Sequence, residues 1–211
     1  MVGTDDLAHC AADLLQADLE GFRYYKSYRQ FRRRNDDTTD DVIVEVTACP
    51  GGGPPYSLAF IFGVQHHAVE KIVAEVNSEK VTPFCRTVFQ SSYNISPSRE
   101  MSFNGPTVWF RIKSAADLTA IQRSLQEFLH GVVVPYHRRF RDMLIAREHL
   151  GREDGWVLNH TPYEQVLVID AIHEAGERAG SYLLELQRRA DSGFHYDKDR
   201  FNAFYARLRQ R

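Results

Sequence analysis

Apolar and polar residues alternate along several stretches of the first half of the chain, as they do in strands with one buried side. Val42, Val44 and Val46 share one side of such a stretch, and residues 56–64 repeat the alternation. The run P-G-G-G-P-P at 50–55 separates the two stretches and cannot be regular structure, because glycine frees the backbone and proline removes hydrogen-bond donors. We therefore predict a hairpin here.

Three further strands complete the predicted sheet. Residues 22–34 are rich in aromatic and basic side chains, and we expect them to pair with 42–47 across a polar turn at 35–41. Shorter strands are predicted at 86–93 and 107–112, on either side of a loop rich in Ser, Pro, Gly and Asn. The pattern thus predicts about five strands, mostly antiparallel.

Two helices are predicted within this first half. Thr4 is a natural N-cap, and the two aspartates after it suit the positive end of a helix dipole, so a helix is expected from there to about Leu19. A second, short helix follows the third strand and places Val69, Val73 and Val76 on one stripe.

From Ser114 onward the apolar spacing changes to three and four residues, which is the spacing of helices. Ser114 and Asp117 form a capping-box pattern, and the helix that they open is predicted to end at Gly131 and Pro135. A second helix is predicted at 135–150.

Thr161, Pro162 and Glu164 carry the strongest helix-start signal of the chain: a threonine cap, a proline at the first helical position and a glutamate that completes a capping box. The helix is predicted to run to about Arg189, with small residues in the middle of its apolar face that allow close approach of another element. A last helix has its apolar residues at helical spacing: Phe201, Phe204, Tyr205 and Leu208.

These patterns predict an α+β fold, in which a mostly antiparallel sheet of about five strands in the N-terminal half is packed with a helical C-terminal half. Residues 1–113 supply a helix and the sheet, and residues 114–211 supply the helices that pack on it. One continuous domain is expected, because 211 residues are enough for a single core.

Composition narrows the function classes. The chain is 43% hydrophobic and 26% charged with a net charge of -2, which is typical of a folded domain and gives no global field for nucleic acid or an anionic membrane. Residues 1–20 lack the basic start and the unbroken apolar run of a secretory signal, and no apolar run approaches the roughly 20 residues that span a bilayer. Cys10, Cys49 and Cys85 match neither a disulfide nor a zinc pattern. We predict a cytoplasmic protein with reduced thiols and no membrane partner.

The segment at 22–34 is the first candidate for function, because interleaved cations and aromatic rings suit single-stranded nucleic acid. The alternative interpretation is an ordinary strand with Phe22, Tyr24 and Tyr28 in the core, whose charge is offset by an acidic turn that contains four aspartates at 36, 37, 40 and 41. The candidate cations are Arg23, Lys26, Arg29, Arg32, Arg33 and Arg34.

A second candidate is the group His66, His67 and Glu70, where two imidazoles and a carboxylate suggest metal ligation or acid–base chemistry. Adjacent histidines on a helix point about 100° apart, and no further ligand stands at a supporting spacing. We therefore predict no metal site, no cofactor and no catalytic residues.

Four runs carry a resemblance to a known group of proteins: G-F-R-Y-Y-K-S-Y-R-Q-F-R-R at 21–33, Y-S-L-A-F-I-F-G-V-Q-H-H-A-V-E-K-I-V at 56–73, V-L-N-H at 157–160, and F-N-A-F-Y-A-R-L at 201–208. With these runs the chain resembles uncharacterised bacterial proteins grouped as domains of unknown function. That resemblance covers most of the chain and supplies no catalytic residues. Small α+β proteins of this sort resemble immunity proteins, which neutralise a toxin.

The sequence therefore leads to a non-catalytic protein-binding protein as the first hypothesis, with an immunity-type inhibitor of a bacterial toxin as its specific form. A nucleic-acid-binding module that uses residues 22–34 is the alternative. An enzyme is the third hypothesis, and a deep pocket lined by His66, His67 and Glu70 would support it.

Overall fold

The structure is a computed structural model that describes residues 3–48, 53–82, 84–92, 110–152, 157, 162–173, 176–191 and 197–211. Its fold is α+β, with the sheet in the N-terminal half and most helices in the C-terminal half, as predicted. The chain forms two compact units of two segments each, Met1–Val64 with Phe89–Arg141 and Gln65–Val88 with Asp142–Arg211. The expectation of one continuous domain stays a prediction.

Several predicted features lie outside the described residues. They are Cys49, the turn residues 50–52, the ends of two strands at 93 and 107–109, Thr161, and residues 158–160 of the V-L-N-H run.

The sheet lies almost wholly in the first unit and has the strand order β1-β2-β3-β4-β5, with β6 paired to β4. Antiparallel pairing joins β1 to β2, β2 to β3 and β6 to β4. The alternating side of β4 is fully buried at Leu58, Phe60, Phe62 and Val64, which confirms the predicted strand period. The strands are β1 (Arg23–Tyr25), β2 (Gln30–Arg34), β3 (Thr38–Ala48), β4 (Tyr56–His66), β5 (Val88–Ser91) and β6 (Phe110–Ile112).

The single strand predicted at 22–34 was wrong, because the chain reverses inside it. A 3-10 turn (Lys26–Tyr28) separates β1 from β2, and Arg29 closes the turn in the left-handed region at φ 50°. The segment has no Gly, Pro or Asn at this point to signal a turn. The predicted polar turn at 35–41 was too long, since β3 already begins at Thr38.

The first helix, α1 (Thr4–Leu15), packs on β3 and on the helix that follows the sheet. Its cap is Gly3, so Thr4 is a helical residue, and the helix ends four residues before the predicted Leu19. Leu7 and Leu15 are fully buried in the core of the first unit.

The helix α3 (Ala115–Phe128) begins with the predicted capping box, in which Asp117 accepts a hydrogen bond from the Ser114 N–H. The predicted end at Gly131 and Pro135 was wrong, because the chain continues through a π-helical turn (Leu129–Val133) into α4 (Val134–Phe140). A proline ring clashes with the carbonyl four residues back, which here belongs to Gly131. The wider π turn shifts the hydrogen-bonding register there and accommodates Pro135.

The helix predicted at 135–150 is also divided. After α4 ends at Phe140, α5 (Met143–Arg152) begins, and the Asp142 carboxylate accepts from the N–H groups of Leu144 and Ile145. The Asp142 side chain thus satisfies the first backbone donors of α5, which allows a new helix to begin directly after α4 ends.

The second unit is a group of helices around α6 (Pro162–Ile172), which contacts α2 (His67–Asn77), α5, α7 (Gly176–Asp191) and α8 (Lys198–Arg209). Every residue from Tyr163 to Asp170 is buried. The single helix predicted from 162 to about 189 was wrong, because it breaks before Gly176, a residue of low helix propensity. In the described part of the chain no helix is long and apolar enough to span a bilayer.

Candidate functional site

The turn between β1 and β2 presents aromatic and cationic side chains at the edge of the sheet. β1 is the edge strand next to β2, and its side chains alternate: Tyr24 packs on Phe31 with ring centroids 4.7 Å apart, whereas Tyr25 points outward. Tyr25 is 37% exposed and Tyr28 is 45% exposed. The expectation that Tyr28 lies in the core was therefore wrong. We call Arg23, Tyr25, Lys26 and Tyr28 the hairpin surface.

The base of the hairpin surface is fixed by polar and charged contacts within the first unit. The Tyr24 hydroxyl lies 2.8 Å from Nδ1 of His9 on α1, and burial raises the pKa of Tyr24 to about 12. The Arg29 guanidinium lies 3.2 Å from the Asp5 carboxylate, also on α1. These contacts hold the turn in one orientation, although Arg29 occupies a backbone region that disfavours side chains with a Cβ.

Of the six predicted cations, two form ion pairs, one is half-buried and three are exposed. Arg29 pairs with Asp5, and Arg33 pairs with Asp40 at 3.0 Å and lies over the Phe22 ring at 4.5 Å. Arg32 is half-buried on β2. Three of the six are exposed to solvent: Arg23, Lys26 and Arg34, of which Arg23 lies over the Tyr25 ring at 5.3 Å.

The buried Asp40 carboxylate is the centre of a charge network in the first unit. Its side chain is fully buried, and it accepts hydrogen bonds from Arg33 on β2 and from Arg141 just after α4. Burial alone would raise the pKa of Asp40, but the hydrogen bonds from Arg141 and Arg33 and the nearby positive charges lower it. The sequence had placed Asp40 and Asp41 in an exposed turn, and that interpretation was wrong for both.

Next to this carboxylate, His137 of α4 is buried and neutral. Its Nε2 donates to the backbone oxygen of Asp41 at 3.0 Å, and burial lowers the His137 pKa to about 4. The Asp41 carboxylate accepts in turn from the Gln30 amide at 2.8 Å. Both aspartates of β3 therefore join the hairpin strands to α4, which is the structural basis for the fixed position of the hairpin surface.

The three weak metal candidates lie at the start of α2 in the second unit, and two of them meet on one hydroxyl. The His66 N–H donates to Oγ1 of Thr87 at 3.0 Å, and this hydroxyl donates to the Glu70 carboxylate at 2.9 Å. His66 and Glu70 are buried, while His67 is half-buried. Across the described ranges, no cluster of three His, Cys, Asp or Glu side chains is arranged to hold a metal ion.

Glu70 belongs to a buried polar network between α2, α6 and α8. Burial raises the pKa of Glu70, and the negative charge of Glu164 raises it further. The hydrogen bonds from Thr87 and Gln165 lower it, but their effect is smaller than that of burial. Glu164 itself is 1% exposed and is bound by Asn77 at 3.0 Å and Arg200 at 2.9 Å. A carboxylate with a raised pKa can act as a general acid or base, and Glu70 is 5% exposed.

Features of the second unit that have no counterpart in the predicted sites include an ion pair and a cleft. One is the ion pair of Arg147 on α5 with Asp170 on α6, joined by two hydrogen bonds of 2.9 and 2.8 Å. The other is a cleft of about 360 Å³ between α6, α7 and α8. The ion pair joins residues far apart in the chain, so no local spacing could have indicated it. The small residues predicted to allow close helix approach, Ala171 and Ala179, line the cleft instead.

Comparison of the chain with protein-family models found no match, and comparisons with curated proteins and with solved structures found none either.

Proposed function

We propose that the chain is a non-catalytic protein-binding protein that uses the hairpin surface to hold a protein partner. The observation that carries this proposal is the exposure of Tyr25 and Tyr28, at 37% and 45%, on the turn between β1 and β2 at the edge of the sheet. Exposed aromatic side chains next to cations are typical of the residues that dominate binding energy at protein interfaces.

Contacts already formed around the two tyrosines support the proposal. Tyrosine offers a large contact area with few rotatable bonds, so it loses little conformational entropy when a partner binds. Arg23 is already placed over the Tyr25 ring, and Arg29 is tied to Asp5 on α1. The backbone of Arg29 at φ 50° is strained for a residue with a Cβ, and such strain is found at binding sites more than elsewhere. The surface is thus prepared for a partner before contact.

The charge distribution favours protein over nucleic acid. Arg29 and Arg33 are paired with aspartates, and the exposed Asp36 and Asp37 lie two and three residues after β2. A site for single-stranded nucleic acid combines its aromatic platforms with a continuous positive groove that follows the phosphates. Among the described residues, these aspartates interrupt the positive charge of the hairpin, and a protein surface with acidic and apolar residues would complement the exposed cations and rings.

The specific form of the proposal is an immunity-type inhibitor, and it rests on the resemblance to immunity proteins. Binding of a toxin by the hairpin surface would block the toxin by occupying its active or target-binding surface. Such an inhibitor needs no catalytic residues, so a well-defined fold with a rigid interface is sufficient for it.

The test is affinity capture from the native host with matched variants of the full chain. Tyr25→Ser/Tyr28→Ser removes both rings from exposed positions and is expected to leave the fold unchanged. The control variant Val81→Ser/Phe84→Ser removes two side chains of similar exposure, 47% and 46%, from the second unit. We expect a protein that the wild type and the control variant capture and the tyrosine variant loses.

Titration calorimetry with the purified partner then measures the loss. Loss of two interface tyrosines together is expected to raise the Kd by roughly 700-fold, because each such residue contributes about 2 kcal/mol and 1.4 kcal/mol is tenfold in Kd. Equal affinity of the tyrosine variant and the wild type would refute the hairpin surface as the binding site. The immunity-type form of the proposal has its own test. Expression of the partner alone must harm cells, and co-expression of this chain must protect them.

Nucleic acid provides the counter-test. Fluorescence anisotropy with single-stranded DNA and RNA is measured between about 50 and 200 mM salt, over which phosphate contacts weaken steeply. Binding that is strong, salt-dependent and lost in Arg23→Ala/Lys26→Ala would establish the alternative instead. If neither nucleic acid binds at low salt, the nucleic-acid alternative is refuted.

A further inference from the structure

The cleft between α6, α7 and α8 has the size and the walls of a small-molecule site. Its volume of about 360 Å³ lies in the range of known ligand pockets, which begin at about 300 Å³. Its apolar walls come from all three helices: Leu167 and Ala171 on α6, Ala179 on α7, and Leu208 on α8. The Tyr205 ring forms a further part of the wall. An apolar molecule would therefore be held on several sides.

Two charged residues also line the cleft, and only one of them is neutralised by a partner. Asp170 is 2% exposed, and Arg147 binds both of its carboxylate oxygens. Arg209 is exposed at the mouth, and its guanidinium lies over the Tyr205 ring at 5.9 Å. Among the described residues Arg209 forms no ion pair. The net charge that the cleft offers a ligand is therefore positive.

We propose that this cleft binds a small organic anion, with the apolar body of the ligand between α6, α7 and α8 and its carboxylate, sulfonate or phosphate on Arg209. The planar guanidinium of arginine suits such anions because it donates two parallel hydrogen bonds. Stacking on Tyr205 restricts the guanidinium and leaves its N–H groups available for the ligand. This site is independent of the hairpin surface, which belongs to the other unit.

The neutralised Asp170 makes a cationic ligand a poor fit. Arg147 binds both carboxylate oxygens, so a ligand cation would have to displace a bidentate ion pair in which Asp170 is 2% exposed and the Arg147 side chain is 21% exposed. The same pair also fixes α6 against α5 and keeps the floor of the cleft in place. An anion at Arg209 requires no such displacement.

Two fluorescent dyes that differ by one charged group test the proposal with the full chain. The anionic dye is 1-anilinonaphthalene-8-sulfonate, and the uncharged dye is N-phenyl-1-naphthylamine. Arg209→Met keeps an unbranched apolar stem over Tyr205 and removes the charge. Its matched control is Arg207→Met on the same helix, because Arg207 is exposed and does not line the cleft.

Arg209→Met is expected to raise the Kd of the anionic dye at least about tenfold and to change the Kd of the uncharged dye by less than about twofold. Arg207→Met should change neither Kd. Ala179→Leu fills the cleft with the side chain of a good helix former and should raise the Kd of both dyes, whereas Ala203→Leu at an exposed position of α8 should not. Circular dichroism spectra must match that of the wild type, so that dye binding to a loosened fold is excluded.

Three results would overturn the proposal. They are equal affinity of the anionic dye for Arg209→Met and the wild type, unchanged binding of both dyes to Ala179→Leu, and no saturable binding of either dye to the wild type.

Discussion

The network around Asp40 predicts a large and pH-dependent loss of stability when its carboxylate is neutralised. Asp40→Asn keeps the shape of the side chain and removes the charge that Arg33 and Arg141 share. The carboxylate is fully buried, whereas the two arginine side chains are 29% and 36% exposed. After the substitution both guanidinium groups lose their anion in a partly dry environment.

The magnitude follows from these exposures. Removal of one member of a buried ion pair costs about 3–5 kcal/mol, because the remaining charge is left desolvated. Arg33 and Arg141 can both regain some water, which places the expected cost at the lower end, about 3 kcal/mol. The control variant Asp36→Asn removes the same charge from an exposed position two residues after β2, and it should change the free energy of unfolding by less than about 0.5 kcal/mol.

The assay is urea unfolding followed by far-ultraviolet circular dichroism, repeated from about pH 7 to pH 3. The folded pKa of Asp40 is lower than the value of about 3.9 in unfolded chains, so the carboxylate contributes stability above that value. The contribution is lost as the pH falls through the folded pKa. The difference between the wild type and Asp40→Asn should therefore be large at pH 7 and shrink below about pH 4.

Two results would refute this reasoning. If Asp40→Asn costs no more than Asp36→Asn at pH 7, the buried network does not stabilise the fold. If the cost remains unchanged at pH 3, the carboxylate charge is not its source.

Three further predictions concern single side chains. Burial raises the folded pKa of Glu70, so the wild type should lose stability as the pH rises above about 4.3, where the carboxyl group ionises in the unfolded chain. Glu70→Gln should therefore become more stable relative to the wild type, and urea unfolding from pH 4 to 8 measures the difference. Arg29→Gly should change the free energy of unfolding by less than about 1 kcal/mol, since relief at φ 50° offsets the lost Asp5 pair; thermal unfolding measures this. Phe204→Ala, in a fully buried position, should destabilise the second unit by about 3–5 kcal/mol, and hydrogen exchange of α8 measures this against the exposed Arg207→Ala.

Local signals in the sequence predicted those elements whose cause is local. The alternation along β4 predicted a strand because a sheet buries every second residue, and Ser114 with Asp117 predicted the start of α3 because the two satisfy the first backbone donors. The continuation of α3 past Pro135 was missed, since it depends on a π turn that no spacing rule indicates.

The charge networks could not be predicted, because their members are distant in the chain. Arg141 reaches Asp40 across 101 positions, and Asn77 reaches Glu164 across 87. A linear sequence shows where charges are, but only packing decides which of them meet. For the same reason the cleft next to Arg209 followed from the arrangement of three helices and not from the small residues in one of them.

This distinction changes how the basic segment at 22–34 is interpreted. Counted along the sequence, six cations within one segment favour a nucleic-acid partner. In the structure Arg33 holds the buried Asp40 and Arg29 holds Asp5, so these two cations stabilise the fold and the turn. Three exposed cations, Arg23, Lys26 and Arg34, remain at the hairpin beside the two exposed tyrosines. If the proposed protein partner binds there, the tyrosines should contribute most of the binding energy, whereas a nucleic-acid partner would depend mainly on the cations.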